Sequence, residues 1–311
     1  MEGDRILLTG ANGQIGTELT IELQKIYGED NVIATDIREP SERISRFEIL
    51  DILDSSKLDA FIAENKISQV YHLAALLSSK GEENPAFTWK LNFDAYIKLL
   101  EIGRDRQLKK IFFPSTIGIF GPTTPKQDTP QNSSFEPATV YGISKFTGEL
   151  WSDYFNKRYG LDVRGLRYPG VISHKVRPAG GTTDFAVEIF FDAREKSSYN
   201  CYLKAGTRLP MMYMPDVMKA TLELMHADRS SISTSMAYNI HGFSLSPEEL
   251  AAEIKNYLPD FEISYNPDHR QAIADSWTES IDDSLARRDW SWNAEYDMTS
   301  MVKDMIEQMI K

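Results

Sequence analysis

A four-residue apolar run, Ile6-Leu7-Leu8-Thr9, passes without a break into Gly10-Ala11-Asn12-Gly13-Gln14-Ile15-Gly16, and a helical pattern from Thr17 to Ile26 follows. A short apolar run of this kind reads as a buried parallel strand, so the glycines fall on a strand-to-helix turn. Glycine lets the backbone come close to a pyrophosphate, and the free N–H groups that open a helix attract the anion. The spacing is GxxGxxG, not the more common GxGxxG. Strand, turn and helix in register assign Gly10, Asn12, Gly13, Gln14, Ile15 and Gly16 to a dinucleotide cradle.

The segments that follow fit a sheet built around that turn. A second strand, Asn31–Thr35, runs into Asp36, twenty positions beyond Gly16. A carboxylate there accepts hydrogen bonds from the adenosine ribose hydroxyls and repels a 2′-phosphate, which favours NAD over NADP. Arg38, two residues on, favours a phosphate and keeps that choice open. Asp51 and Ile52 end a third short apolar stretch, where an Asp can reach the adenine amino group. A helix near Ser56–Asn65 precedes the strand Gln69–Ala75. Its last residues, Leu73, Ala74 and Ala75, are mostly small and leave room for a ligand at the carboxyl edge of an open α/β sheet. Leu76–Glu82 reads as a polar loop facing the same crevice, Pro85–Arg104 as a long helix carrying Asn92, and Lys110–Thr116 as the next strand. This βα alternation predicts an α/β fold, a Rossmann-type doubly wound parallel sheet.

Tyr141-Gly-Ile-Ser-Lys145 opens a further helix, and residues four apart share a helix face. A phenol with its usual pKa of about 10 is too weakly acidic to act as a base at neutral pH, and a nearby ammonium lowers that value. Other classes of function are disfavoured. The 311 residues carry 34 basic and 46 acidic side chains, a formal charge of −12, which speaks against a nucleic-acid partner. The five histidines are scattered singly, so no metal site is expected, and one cysteine, Cys201, fits a reducing compartment. The N-terminus shows no targeting pattern and no apolar run approaches a membrane span, so the expectation is a cytoplasmic protein with no membrane partner.

Thr9-Gly-x-x-Gly-x-x-Gly16, a hydroxyl at Thr116 ending a strand, and Tyr141-x-x-x-Lys145 come in the order of the extended short-chain dehydrogenase/reductase family, which the chain resembles over essentially its whole length. That resemblance implies Tyr141 as general base. Lys145 would lower its pKa and hold the nicotinamide ribose. Thr116, where the family more often has serine, would hydrogen-bond the reacting oxygen, with Ser115 as an alternative. Asn92 stands at the family's supporting-asparagine position. Tyr168 precedes a Pro169-Gly170 turn that in the family lies along the nicotinamide.

Within the family, four segments are similar to the short-chain type of L-threonine 3-dehydrogenase: Leu73–Glu82, Gly180–Glu188, Leu209–Asp216 and Ala274–Trp277. This implies oxidation of L-threonine with NAD, with Ser78, Thr116, Tyr141, Thr182, Thr183 and Trp277 around the substrate. Thr182-Thr183 also reads as a helix N-cap before Asp-Phe-Ala-Val-Glu. Ser79-Lys80 and Thr278 depart from the family's usual residues. The resemblance further implies a homodimer formed through helices flanking the sheet, including the one that carries Tyr141.

The alternation breaks down after Tyr168. Residues 1–168 are therefore expected to form the NAD-binding domain and 169–311 mainly a smaller substrate-binding lobe, with some segments returning to the main sheet. The C-terminal stripe Met301, Val302, Met305, Ile306 and Met309 has helical spacing and reads as core packing. Two rival functions remain. A UDP-sugar 4-epimerase uses the same reactive set and needs cations for a pyrophosphate, which Lys175, Arg177, Arg208 and Arg270 could supply. A non-catalytic nucleotide-sensing Rossmann protein usually has a broken Tyr-x-x-x-Lys motif, and this one is whole.

Overall fold

A computed structural model describes residues 3–41, 43–178 and 180–310. Seven parallel strands form the central sheet, in the order Tyr238–Asn239, Val163–Tyr168, Lys110–Thr116, Gln69–His72, Ile6–Thr9, Val32–Asp36, Phe47–Ile49. Every residue of Ile6–Thr9 is buried, as a central strand covered on both faces requires. Strand order reverses on either side of Ile6–Thr9, and at such a switch point the crossover helices diverge and leave a crevice at the carboxyl edge. Gly10, Asp36, Leu73 and Thr116 all stand at that edge.

Helix Gln14–Tyr27 packs Leu19 and Leu23 onto the sheet, and Leu58, Ile62, Leu99 and Leu100 cover the opposite face. Helix Val140–Tyr159 begins at Thr139, whose hydroxyl accepts from the Gly142 N–H at 3.1 Å. It ends at Gly160 in the left-handed region (φ 71°), where the N–H donates to Asn156 O. Gly148 lets this helix lie on the sheet, since a Cβ there would stand 2.4 Å from the Phe113 ring.

Pro169 takes the chain out of the main sheet into a three-stranded one of Phe243–Leu245, Leu209–Tyr213 and Gly170–Ile172. A parallel pair, Ser198–Cys201 with Glu262–Tyr265, lies beside it. The chain returns to the main sheet at Tyr238–Asn239, paired with Leu166 and Arg167. Helix Met298–Ile310 buries Met301, Val302, Met305, Ile306 and Met309 in the core formed by these later segments.

Three local expectations need correction. Leu76–Glu82 is not all loop, because Ser78–Glu82 forms a short helix. Pro85–Arg104 is helical but changes pitch: Lys90–Asp94 is a π-turn between Pro85–Trp89 and Ala95–Asp105, and Asn92 sits inside it. The N-cap of Phe185–Lys196 is Asp184, not a threonine, and the Asp184 carboxylate accepts from the N–H groups of Gly180 and Gly181 at 2.9 and 2.6 Å.

Candidate active site

Gly10 has φ +75°, and a Cβ on it would stand 2.6 Å from Ala74 N. A Cβ on Gly16 would stand 2.3 Å from Gly10 O. Both positions exclude side chains, and the turn lies directly against the Leu73–Ala75 backbone. Gly13 begins helix Gln14–Tyr27 with no side-chain cap, so the first-turn N–H groups are left to an incoming anion. Asp36 Oδ2 accepts from Asn12 N at 3.1 Å and Oδ1 from Ile37 N at 2.8 Å. Each carboxylate oxygen keeps a lone pair for a ribose hydroxyl. An uncapped glycine cradle, a carboxylate at the second strand and small residues at the fourth fit a dinucleotide. Asn12 Nδ2 holds the Arg38 carbonyl at 2.7 Å, while the Arg38 side chain is exposed. Asp51 is also exposed and braces its own turn through Leu53 N at 2.9 Å, and Ile52 is buried. Ile37, 63% exposed beside Asp36, leaves an apolar surface at that turn, which the sequence marks only as a lone isoleucine among polar residues.

Tyr141, Lys145 and Thr116 meet at the carboxyl edge of Lys110–Thr116. Lys145 is 3% exposed, and its Nζ makes no hydrogen bond to a described residue. The ammonium lies 4.7 Å from the centre of the Phe113 ring and 5.9 Å from that of Tyr141. Burial pulls its pKa down to about 7. Burial also pushes the Tyr141 phenol up to about 12, against the lowering effect of its hydrogen bond with Thr116. The expected depression of the Tyr141 pKa is therefore absent in the protein alone. Desolvation penalises both charged forms and outweighs the pair's mutual attraction. A cation beside the phenol acts in the lowering direction.

The loops named from the sequence meet one another beside the start of the Tyr141 helix. Ser78 Oγ and Thr182 Oγ1, both buried, are 3.0 Å apart although 104 residues separate them. Lys80 N donates to Gly180 O at 3.2 Å, and Ser79 Oγ is 2.9 Å from His269 Nε2. Trp277 and Thr116 flank Gly118: a Cβ there would lie 3.5 Å from the indole Cζ2 and 3.3 Å from Thr116 Cγ2. Trp277 is buried, and its indole N–H has no partner among the described residues. Thr183 packs against Gly170, where a Cβ would come within 2.8 Å of it. Gln14 Nε2 bridges the cradle to the later segments through Val171 O at 3.2 Å and Ser173 Oγ at 2.9 Å.

Other candidates serve the frame. Asn92, buried in the π-turn, clamps Leu76 by both its N–H and its carbonyl, each at 2.9 Å. It braces the loop ahead of Ser78, and its side chain is not free for a cofactor. The Tyr168 hydroxyl is bonded to Thr221 in the core, which removes that side chain as a cofactor ligand. Ser115 donates to Glu149, not toward Tyr141, so the alternative to Thr116 falls away. Glu82 was not anticipated: its carboxylate accepts from Val140 N at 2.8 Å and ties the Ser78–Glu82 helix to the start of the Tyr141 helix. Among the described residues, no group of three or more His, Cys, Asp or Glu could hold a metal ion, and no helix is long and apolar enough to cross a membrane.

The model of the NAD dependent epimerase/dehydratase family matches residues 6–240. An uncharacterized epimerase/dehydratase of Staphylococcus haemolyticus is 45% identical over 309 residues, 98% of this chain and 97% of that one. A GalE-like L-threonine dehydrogenase from Cupriavidus necator, solved in its holo form, is 47% identical with a TM-score of 0.96, covering 98% of this chain and 99% of that one. A monomeric L-threonine 3-dehydrogenase from a metagenome is 48% identical with a TM-score of 0.95, covering 98% of each chain.

Proposed function

We propose, from the premise that the chain belongs to the NAD dependent epimerase/dehydratase family, that it oxidises the C3 hydroxyl of L-threonine to give 2-amino-3-oxobutanoate. The likeness to L-threonine dehydrogenases supports this substrate. The observation that carries it is the meeting of Ser78 and Thr182, with the Ser78–Glu82 helix tied through Glu82 to the start of the Tyr141 helix. These two hydroxyls, with Thr183 and the unpartnered Trp277 N–H, supply neutral donors and acceptors for an amino-acid zwitterion.

NAD, when bound, supplies the hydride acceptor. Gly10–Gly16 and Asp36 would hold its phosphates and adenosine ribose, and Lys145 the second ribose. Tyr141 Oη takes the substrate's hydroxyl proton. Thr116 Oγ1, which already accepts from Gly118 N at 3.1 Å, keeps its own proton to donate and so fixes the reacting oxygen. Lys145, in its charged form, acts in the direction that stabilises the Tyr141 phenolate. Holding the reactants in one geometry lets positioning supply much of the rate.

The UDP-sugar reading needs free cations. Lys175 is paired with Glu18 at 2.6 Å, Arg177 with Glu195 at 2.5 Å, Arg208 with Glu249 at 2.5 Å and Arg270 with Asp268 at 2.6 Å. Each would have to abandon a carboxylate to meet a pyrophosphate.

We also infer a homodimer through the outer face of Val140–Tyr159. Ile143, Leu150 and Tyr154 are each more than 40% exposed there, and Phe87 is equally exposed on the neighbouring helix.

The test is NADH formation from L-threonine, L-serine, D-threonine and L-allo-threonine. L-Threonine should be the best substrate, and Tyr141→Phe should lower its kcat by about 10²–10⁴. Failure of the wild-type protein to oxidise any of them removes the substrate assignment. Near wild-type turnover by Tyr141→Phe removes the base.

A further inference from the structure

We propose that Glu149 and Arg167 are positioning residues that hold the Tyr141–Lys145 helix in register with Thr116 and with the Trp277 loop. The proposal rests on the roles given above to those groups. Glu149 lies two turns beyond Tyr141 and one beyond Lys145, on the same helix face. Its side chain is 0% exposed and that of Arg167 is 1%. The pair is bidentate: Arg167 Nε to Glu149 Oε1 at 3.0 Å and Nη2 to Oε2 at 2.8 Å. Ser115, next to Thr116, donates its hydroxyl to the same carboxylate. One ion pair thus joins the helix of the base to both strands beneath it.

The remaining donor of Arg167 extends the connection. Nη1 reaches Gln131 O at 2.7 Å and Asn239 Oδ1 at 3.0 Å. Asn239 Nδ2 in turn donates to Thr129 O at 3.0 Å and Asp282 O at 3.2 Å. Thr129 is bonded to Thr278, and Lys126 Nζ donates to the carbonyls of Asp275 and Trp277 at 2.6 and 2.5 Å. A continuous polar path therefore runs from the helix of Tyr141 to the backbone of Trp277.

The two charges themselves add little stability. Taking two ions out of water is costly, and well-packed apolar replacements are often neutral or stabilising. What an ion pair adds is direction, since it can be made in only one alignment of helix and strands. A sliding or rotation of Val140–Tyr159 that broke it would displace Tyr141 and Lys145 together.

The experiment compares wild type with the double variant Glu149→Met/Arg167→Met, which replaces both charges with apolar groups, and with Glu149→Gln, which keeps a polar acceptor. Thermal unfolding, NADH binding followed by fluorescence, and steady-state turnover of L-threonine are measured on each. The double variant leaves Ser115 Oγ, Gln131 O and Asn239 Oδ1 without their partners, so it should unfold several degrees below wild type while remaining folded at the assay temperature. It should nevertheless bind NADH about tenfold more weakly, by displacement of Lys145, and lose about 100-fold in kcat, the scale of a misplacement near 1 Å. Glu149→Gln should fall between the two. A folded double variant with wild-type NADH affinity and kcat overturns the proposal, as does a loss of both that merely tracks the unfolded fraction. If the wild-type protein does not oxidise L-threonine, the substrate assignment fails, and the NADH measurement alone decides the positioning role.

Discussion

Replacing Lys145 by methionine should make the protein more stable while removing its activity. Methionine fills nearly the same volume with no charge. In the folded protein the ammonium is buried without a hydrogen-bonding partner, and its pKa falls from 10.5 to about 7. At about 1.4 kcal/mol per tenfold change, that fall corresponds to about 5 kcal/mol at pH 7. Contact with the faces of Phe113 and Tyr141 offsets roughly 1–2 kcal/mol of this. Desolvation wins, leaving a net cost of about 3–4 kcal/mol. The folded pKa lies below the unfolded one, so the unfolded chain holds more protons between pH 7 and 10.5. The Lys145 contribution to wild-type stability accordingly rises with pH across that window, with the cost fully present below it and absent above it. Urea unfolding of the cofactor-free proteins at pH 7 and near pH 10 measures this directly. The methionine variant should be the more stable at pH 7, and the gap should close toward pH 10. A variant less stable than wild type at pH 7, or a gap independent of pH, refutes the account of Lys145 as a desolvated ammonium.

Three further variants probe the frame and the proposed dimer face. Gly16→Ala places a Cβ 2.3 Å from Gly10 O and should cost at least an order of magnitude in NADH affinity, read by fluorescence titration. Asn92→Ala leaves the Leu76 N–H and C=O without their partner. It should destabilise by about 2–4 kcal/mol and raise KM for L-threonine more than it lowers kcat, as checked by denaturation and kinetics. Ile143→Glu combined with Tyr154→Glu should convert a dimer to monomer in sedimentation with the fold retained; a wild-type protein that sediments as a monomer removes the dimer.

Much of this was legible from residues alone because the nucleotide half is built from local signals. The glycine turn, Asp36 and the Tyr-x-x-x-Lys spacing each state their geometry within one strand–turn–helix unit. What escaped depends on partners distant in sequence or on backbone pitch. The π-turn around Asn92 leaves no periodicity mark, because five residues are too few to shift an apolar pattern. Glu149 reads as one more charge on a helix, and only two strands folded beneath it reveal that it is buried. Tyr168 sits beside a turn facing the crevice, yet strand alternation sends its phenol to the opposite face and onto Thr221. The pKa direction of Tyr141 departs from the expectation for a related reason: sequence shows the ammonium nearby but not the burial that raises the phenol.

The late return of Tyr238–Asn239 to the main sheet also orders events during synthesis. Asn239 follows Arg167, its partner, by 72 residues. At ribosomal speeds of about 5–20 residues per second, the Val163–Tyr168 strand waits roughly 4–14 seconds with an open edge. Throughout that interval the guanidinium of Arg167 lacks its Asn239 ligand. A chain truncated near residue 230 should therefore be more prone to protease attack and self-association than one truncated beyond residue 245, which retains its outer strand.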